Sequence, residues 1–170
     1  MQTKASPPLA GVRVLDLSRV LAGPYATMLM AELGARIIKV EQPGTGDDSR
    51  AYGPFINGKS AYFAAINRGK ESIALDLKSP SDADVLAAMI RKVDVLVENF
   101  RPGTMEKLGF DAERIRKLNP PIIYASASGF GQTGPHSRRP AYDMVVQGLS
   151  GMMSVTGQPG GEPSRVGVSI

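Results

Sequence analysis

Two stretches of the chain have residue types and spacings that could do chemistry. The first is Pro140-Ala141-Tyr142-Asp143-Met144-Val145-Val146-Gln147-Gly148-Leu149-Ser150-Gly151. Pro140 closes a turn and Tyr142-Asp143 opens a helix that is small on one side and apolar on the other. An acid in the first helical turn lies at the positive end of the helix dipole, which favours its charged form. Such a carboxylate is either a helix cap or a nucleophile, and the stretch alone does not choose. The second is Gly129-Phe130-Gly131-Gln132-Thr133-Gly134, a glycine loop after a predicted strand. Backbone N–H groups in such loops suit phosphate. Pro135 and the lack of a helix directly behind it argue against a dinucleotide fingerprint.

Other chemistries lack their parts. The chain has no cysteine, hence no disulfide or thiolate ligand. Its one histidine, His136, lies in a Gly/Pro loop and reads as a surface residue, so neither a Ser-His-Asp arrangement nor a histidine metal site is expected. The protein is read as metal-free.

The elements that must position these residues follow from the apolar pattern. The chain has 170 residues, 42% apolar and 21% charged, enough for a domain with a real core. It has no apolar run of membrane-spanning length, and Met1 to Pro8 is a short polar lead-in without a signal-peptide core. A cytoplasmic protein is expected. Net charge is +4, with basic residues scattered apart from Arg138-Arg139 and the group Arg114, Arg116, Lys117. This reads as a solvated surface or attraction to an anionic small molecule. No nucleic-acid motif appears.

Gly11 to Leu17 reads as a buried strand, with Pro24 opening a helix at its first position and running from Tyr25 to Leu33. Ala35 to Glu41 is a second strand, completing a βαβ unit with a right-handed crossover. Gln42 to Lys70 is broken by glycines and reads as a long surface excursion with at most a short helix near Ala61 to Asn67. Ser72 to Asp76 is a third strand. Ser79-Pro80-Ser81-Asp82 caps a helix to Lys92, and Val93 to Glu98 is a fourth strand. Short helices Thr104 to Leu108 and Asp111 to Leu118, a fifth strand Ile122 to Ser126, the glycine loop and the Asp143 helix follow. Arg165 to Ile170 begins another strand. The fold class is α/β, a doubly wound, mainly parallel Rossmann-like sheet. Ligands in such sheets bind at the carboxyl edge. The loops at Val20 to Gly23, Glu41-Gln42, Asp76, Asn99-Phe100, Ser128 to Gly131 and Tyr142-Asp143 should gather there.

Taken together, Leu9-Ala10-Gly11-Val12-Arg13-Val14-Leu15-Asp16, Ala22-Gly23-Pro24, Leu33-Gly34-Ala35 with Ile38-Lys39-Val40-Glu41, Asn67-Arg68-Gly69-Lys70 with Leu75-Asp76-Leu77-Lys78, Val95-Leu96-Val97-Glu98-Asn99-Phe100-Arg101-Pro102-Gly103 and Ser128-Gly129-Phe130-Gly131 form a specific pattern. The chain resembles the N-terminal part of the class III CoA-transferases, the CaiB/BaiF or formyl-CoA transferase-like family, from about Leu9 to Ile170. The resemblance implies that Asp143 is the nucleophilic aspartate, forming a mixed anhydride with the acyl group and then an aspartyl-CoA thioester. It implies coenzyme A contacts at Leu21, Ala22, Gln42, Leu75, Lys78, Asn99, Phe100, Lys107, Ser128, Gly129, Phe130 and Gly131. Coenzyme A and acyl-CoA enter as substrates, with a carboxylic acid as acceptor.

Related α-methylacyl-CoA racemases carry a histidine immediately before the matching aspartate. Here that residue is Tyr142, a poor proton-transfer base near neutral pH, which favours transfer over racemisation. A non-catalytic CoA-binding fragment is the remaining alternative. Family members are usually more than twice as long, with a second, smaller domain and an interlocked homodimer. Residues 1–170 are therefore expected to be the N-terminal part of the large CoA-binding domain, with the small domain and the C-terminal return lying outside them. No nucleic-acid or membrane partner is expected.

Overall fold

Val14 and Leu15 are chain neighbours with no exposed surface, yet they belong to different cores. Alternation along a strand sends successive side chains to opposite faces, and a sheet covered on both faces buries both sets. The computed structural model describes residues 6–167. They fall into two units whose boundary lies between Ala127 and Ser128.

The first unit runs β1 (Arg13–Asp16), α1 (Ala22–Glu32), β2 (Arg36–Glu41), a 3-10 turn (Asp48–Ala51), β3 (Phe55–Ile56), β4 (Lys59–Ser60), α2 (Ala61–Asn67), β5 (Lys70–Ala74), α3 (Pro80–Ile90), β6 (Val95–Glu98), α4 (Thr104–Lys107), α5 (Ala112–Leu118) and β7 (Ile123–Ser126). The main sheet has the order β5-β2-β1-β6-β7, and every pairing in it is parallel. Leu15 pairs with Ile38 on one side and Leu96 on the other. Leu15, Leu17, Val40 and Leu96 pack with Leu86 and Ile90 of α3 and Ile115 of α5. Val14, Ile37, Val95 and Val97 face the opposite way, with Met30 and Ala31 of α1 against them. The doubly wound parallel sheet is therefore as the sequence indicates. Strand order reverses between β1 and β6, which makes their carboxyl ends the topological switch point.

Several boundaries differ from the sequence reading, three of them for identifiable reasons. Helix α1 starts at Ala22, so Pro24 is its third residue rather than its first. The first four helical N–H groups have no helical partner, so a proline there costs no bond. The third main strand covers Lys70–Ala74 rather than Ser72 to Asp76, because pairing with β2 starts at Ile37 opposite Lys70. Helix α3 starts at Pro80 behind Ser79, and the Asp82 carboxylate accepts the Asp76 N–H at 2.8 Å instead of marking the start.

The excursion from Gln42 to Lys70 is ordered. It contains the β3–β4 hairpin, α2 at the expected residues and the buried polar residues Asp47, Ser49, Ser60 and Asn67. Ser60 donates to the Ser49 and Tyr52 carbonyls and caps α2 by accepting from the Phe63 N–H.

In the second unit, α6 (Asp143–Leu149) follows Tyr142, and a 3-10 turn (Met152–Val155) follows Gly151. Gly129 lies against Ala141 so closely that a Cβ on it would fall 1.9 Å from the Ala141 Cβ. Arg165 to Gly167, expected to open a strand, have no strand structure. Val168, Ser169 and Ile170, also part of that expectation, lie outside the described residues, as does the start of the lead-in, Met1 to Ala5.

Candidate functional site

The carboxyl ends of β1, β2, β5 and β6 enclose a cleft of about 300 Å³ in the first unit. Leu17, Val40, Leu75, Leu77 and Leu108 give it an apolar floor, and Arg19, Gln42, Lys78 and Phe100 stand around it. Of the sequence-expected contacts, Gln42, Leu75, Lys78 and Phe100 line this cleft. Leu21, Ala22, Asn99 and Lys107 do not line it, although all but Lys107 lie in loops or helix starts at the same edge.

The β1–α1 loop that frames the cleft is held from several sides. Asn99 bonds both backbone groups of Arg19, accepting its N–H and donating to its carbonyl, each at 2.8 Å. The Arg19 guanidinium meets both oxygens of Asp48 at 2.6 Å. Val20 sits at φ 69, a conformation a β-branched residue rarely adopts. Its N–H donates to Asp47 at 3.2 Å. Such a backbone persists only where the surroundings determine it, and here Asn99 and Asp47 do so.

The polar groups beneath the cleft are buried and paired. Lys39, almost wholly buried, donates to the Ser18 carbonyl at 2.7 Å and pairs with Asp47 at 2.8 Å. Burial pushes the Asp47 carboxyl up, but Lys39 and Ser49 overcome it and hold the group below its ordinary value. Burial likewise opposes ionisation of Glu41. Hydrogen bonds from Arg50, Ser72 and the Asp47 N–H, with the charge of Arg50, outweigh it and hold the carboxyl at about 2. Asp16 accepts from Ser18, from Thr27 at 2.6 Å and from Lys70 at 3.0 Å. Burial draws the Lys70 ammonium below its ordinary value against the pull of Asp16. These ions are spent on each other and fix the frame. Lys78, exposed on the rim, makes no ion pair among the described residues, which leaves a cation beside an apolar cleft.

In the second unit, Asp143 is the first residue of α6 and is partly buried. Its Oδ2 accepts from Gln147 Nε2 at 2.8 Å. Tyr142, just before it, is 72% exposed. Ser128 to Gly131 form a turn, with the Gly131 N–H on the Ser128 carbonyl and Gly131 at φ 79. Phe130 packs edge-on to His136, with the Arg139 guanidinium over its ring. Gly129, Gly131 and His136 are all exposed.

Sequence reasoning missed Arg19, Asp47 and Gln147. Arg19 borders a loop already marked by topology, and Gln147 stands four residues after Asp143, a spacing that places two side chains on one helix face. Asp47 lies in a glycine-broken stretch, where no pattern announces a buried acid.

The model of the family described as CoA-transferase family III matches residues 9–170. The chain is 55% identical to the acetyl-CoA:oxalate CoA-transferase of Acetobacter aceti, covering 97% of this chain and 43% of that protein. It is 49% identical to the succinate–glutarate CoA-transferase of Agrobacterium fabrum, covering 96% and 43%. It is 48% identical to the human succinyl-CoA:glutarate CoA-transferase, covering 96% and 37%. A CaiB/BaiF family protein from Brucella suis superposes with a TM-score of 0.90 at 42% identity, over 96% of this chain and 44% of that one. The chain thus spans less than half the length of the relatives it matches. Among the described residues no helix is long and apolar enough to cross a membrane.

Proposed function

The chain belongs to CoA-transferase family III, and from that premise we propose that it moves coenzyme A from an acyl-CoA to a carboxylic acid through Asp143. One Asp143 oxygen attacks the thioester carbonyl carbon. The C–S bond breaks and the CoA thiolate leaves with its electron pair, giving a mixed anhydride. The thiolate sulfur then attacks the Asp143 carbonyl carbon. The donor acid leaves as its carboxylate, and an aspartyl-CoA thioester remains. The acceptor carboxylate takes the donor's place and runs both steps in reverse. Each attack starts from an anion and expels one, so no net proton is needed. A carboxylate is a weak nucleophile, but the anhydride it forms is as activated as the thioester it replaces.

The observation that carries this reading is the placement of Asp143. It opens α6 with one carboxylate oxygen on a buried amide donor, inside the span the family model matches. The cleft supports the coenzyme A part. Leu75 and Phe100 offer an apolar surface, Lys78 a cation for phosphate, and Gln42 a polar rim. Asn99 acts by fixing Arg19, while Leu21, Ala22, Lys107 and the Ser128–Gly129–Phe130–Gly131 turn are further contacts in this proposal. The relatives' names include oxalate, succinate and glutarate, which supports a short dicarboxylic acid as one substrate. The reading extends to residues 1–170 as the N-terminal part of the large CoA-binding domain, and to an interlocked homodimer working in the cytoplasm.

The test uses the protein as its gene encodes it, with succinyl-CoA and glutarate or oxalate, following the new acyl-CoA by chromatography. Asp143→Asn is expected to make none while still binding coenzyme A. Transfer that persists in that variant contradicts the nucleophile.

A further inference from the structure

Gln147 has 5% of its surface exposed, in a helix whose neighbouring side chains are mostly exposed. Its amide makes three contacts. Nε2 donates to Asp143 Oδ2 at 2.8 Å and to the Val166 carbonyl at 3.3 Å, and Oε1 accepts the Val166 N–H at 2.9 Å. The Val166 N–H can only donate, so it fixes which end of the amide is oxygen. The nitrogen must then face Asp143. A buried amide locked by backbone on both ends presents a donor in one direction only, at no reorganisation cost during a reaction.

Resting on the reading of Asp143 as nucleophile, we propose that Gln147 is a second catalytic residue, which holds Oδ2 as the non-attacking oxygen and then stabilises the charge that builds on it. In the first step the other oxygen bonds to the acyl carbon, and Oδ2 becomes the carbonyl oxygen of the anhydride. When the thiolate adds to the Asp143 carbonyl carbon, the C–O π pair moves onto Oδ2 and makes it an oxyanion. The Gln147 N–H already faces that atom. Collapse returns the pair and expels the donor carboxylate. Addition of the acceptor carboxylate to the aspartyl-CoA thioester loads the same oxygen again. A neutral amide donates to that oxygen without adding a charge of its own.

Gln147→Glu tests this with little change of shape. It keeps an acceptor for the Val166 N–H and loses the donor to Asp143. In the protein as its gene encodes it, kcat is expected to fall about 100-fold, the typical cost of one oxyanion donor, with KM for both substrates within about twofold. Gln147→Met, which keeps length and volume without a second carboxylate, should show the same split. Coenzyme A binding and the thermal midpoint are measured alongside. A kcat within about threefold of the parent in a folded variant overturns the proposal, and so does a loss confined to KM. If neither variant folds, Gln147 is a structural tie and the proposal is wrong. Asp143→Asn runs in parallel. If it retains transfer, the nucleophile assignment fails, whatever Gln147 does.

Discussion

Asn99 grips Arg19 by both backbone groups, across 80 residues of sequence and across the point where the strand order reverses. The grip joins the loops after β1 and β6, the two strands that flank the switch point. It holds the chain beside Val20, whose φ of 69 needs such support. Asn99→Ala removes both bonds and leaves a partly buried carbonyl and N–H to find water. The expected cost is about 1–3 kcal/mol in urea unfolding, with weaker coenzyme A binding by calorimetry. Asn99→Asp keeps the acceptor but points a negative charge at the Arg19 carbonyl, so it should not rescue binding.

Gly23 is dictated by packing. A Cβ there would fall 2.3 Å from the Ser18 Cβ and 2.5 Å from its Oγ. Ser18 is fully buried and bonded to Asp16, so it has no room to retreat. Gly23→Ala should destabilise by about 1–3 kcal/mol, as overpacking does, despite the better helix propensity of alanine. A melting temperature equal to or above the parent's would show that the contact relaxes freely.

Glu41 should make stability fall in acid. Its carboxyl sits at about 2, against an ordinary value of 4.5. A depressed folded-state value stabilises above the unfolded value, and that gain is lost as pH falls toward the folded one. The loss should therefore run from roughly pH 5 to pH 2 and amount to about 3 kcal/mol at most. Glu41→Gln lacks this titration. Its stability deficit, large at neutral pH, should shrink in acid, and a deficit constant across that range would refute the assignment.

Lys78 is the rim cation that makes no ion pair among the described residues. If it meets a phosphate of coenzyme A, Lys78→Ala should raise Kd about tenfold at low salt and flatten its salt dependence. Pantetheine, which lacks the nucleotide phosphates, should bind the parent and the variant alike.

Much of the frame was legible in the sequence because a parallel sheet covered on both faces writes itself as apolar runs. Val14-Leu15 and Val95-Leu96-Val97 identify their strands without any knowledge of partners. In the glycine-broken stretch from Gln42 to Lys70 only the short helix was legible, since the rest of its order comes from the Asp47 and Ser60 side chains bonding to backbone that periodicity does not describe. Pro24 misled the helix start because proline is tolerated anywhere in the first turn. Asp143 stood out only as a charge opening a helix, and cap and nucleophile look alike at that level. Gln42, Leu75, Lys78 and Phe100 were found on the cleft, whereas Arg19 needed Asn99, which no local pattern joins to it.

The most direct measurement of the central claim is the covalent one. The protein is mixed with succinyl-CoA, quenched in acid, digested and mapped by mass spectrometry, with a parallel sample treated with hydroxylamine. Coenzyme A is expected on the peptide that carries Asp143, with conversion of that residue to its hydroxamate and neither product in Asp143→Asn. An adduct on a different residue, or an undiminished adduct in Asp143→Asn, would contradict that claim.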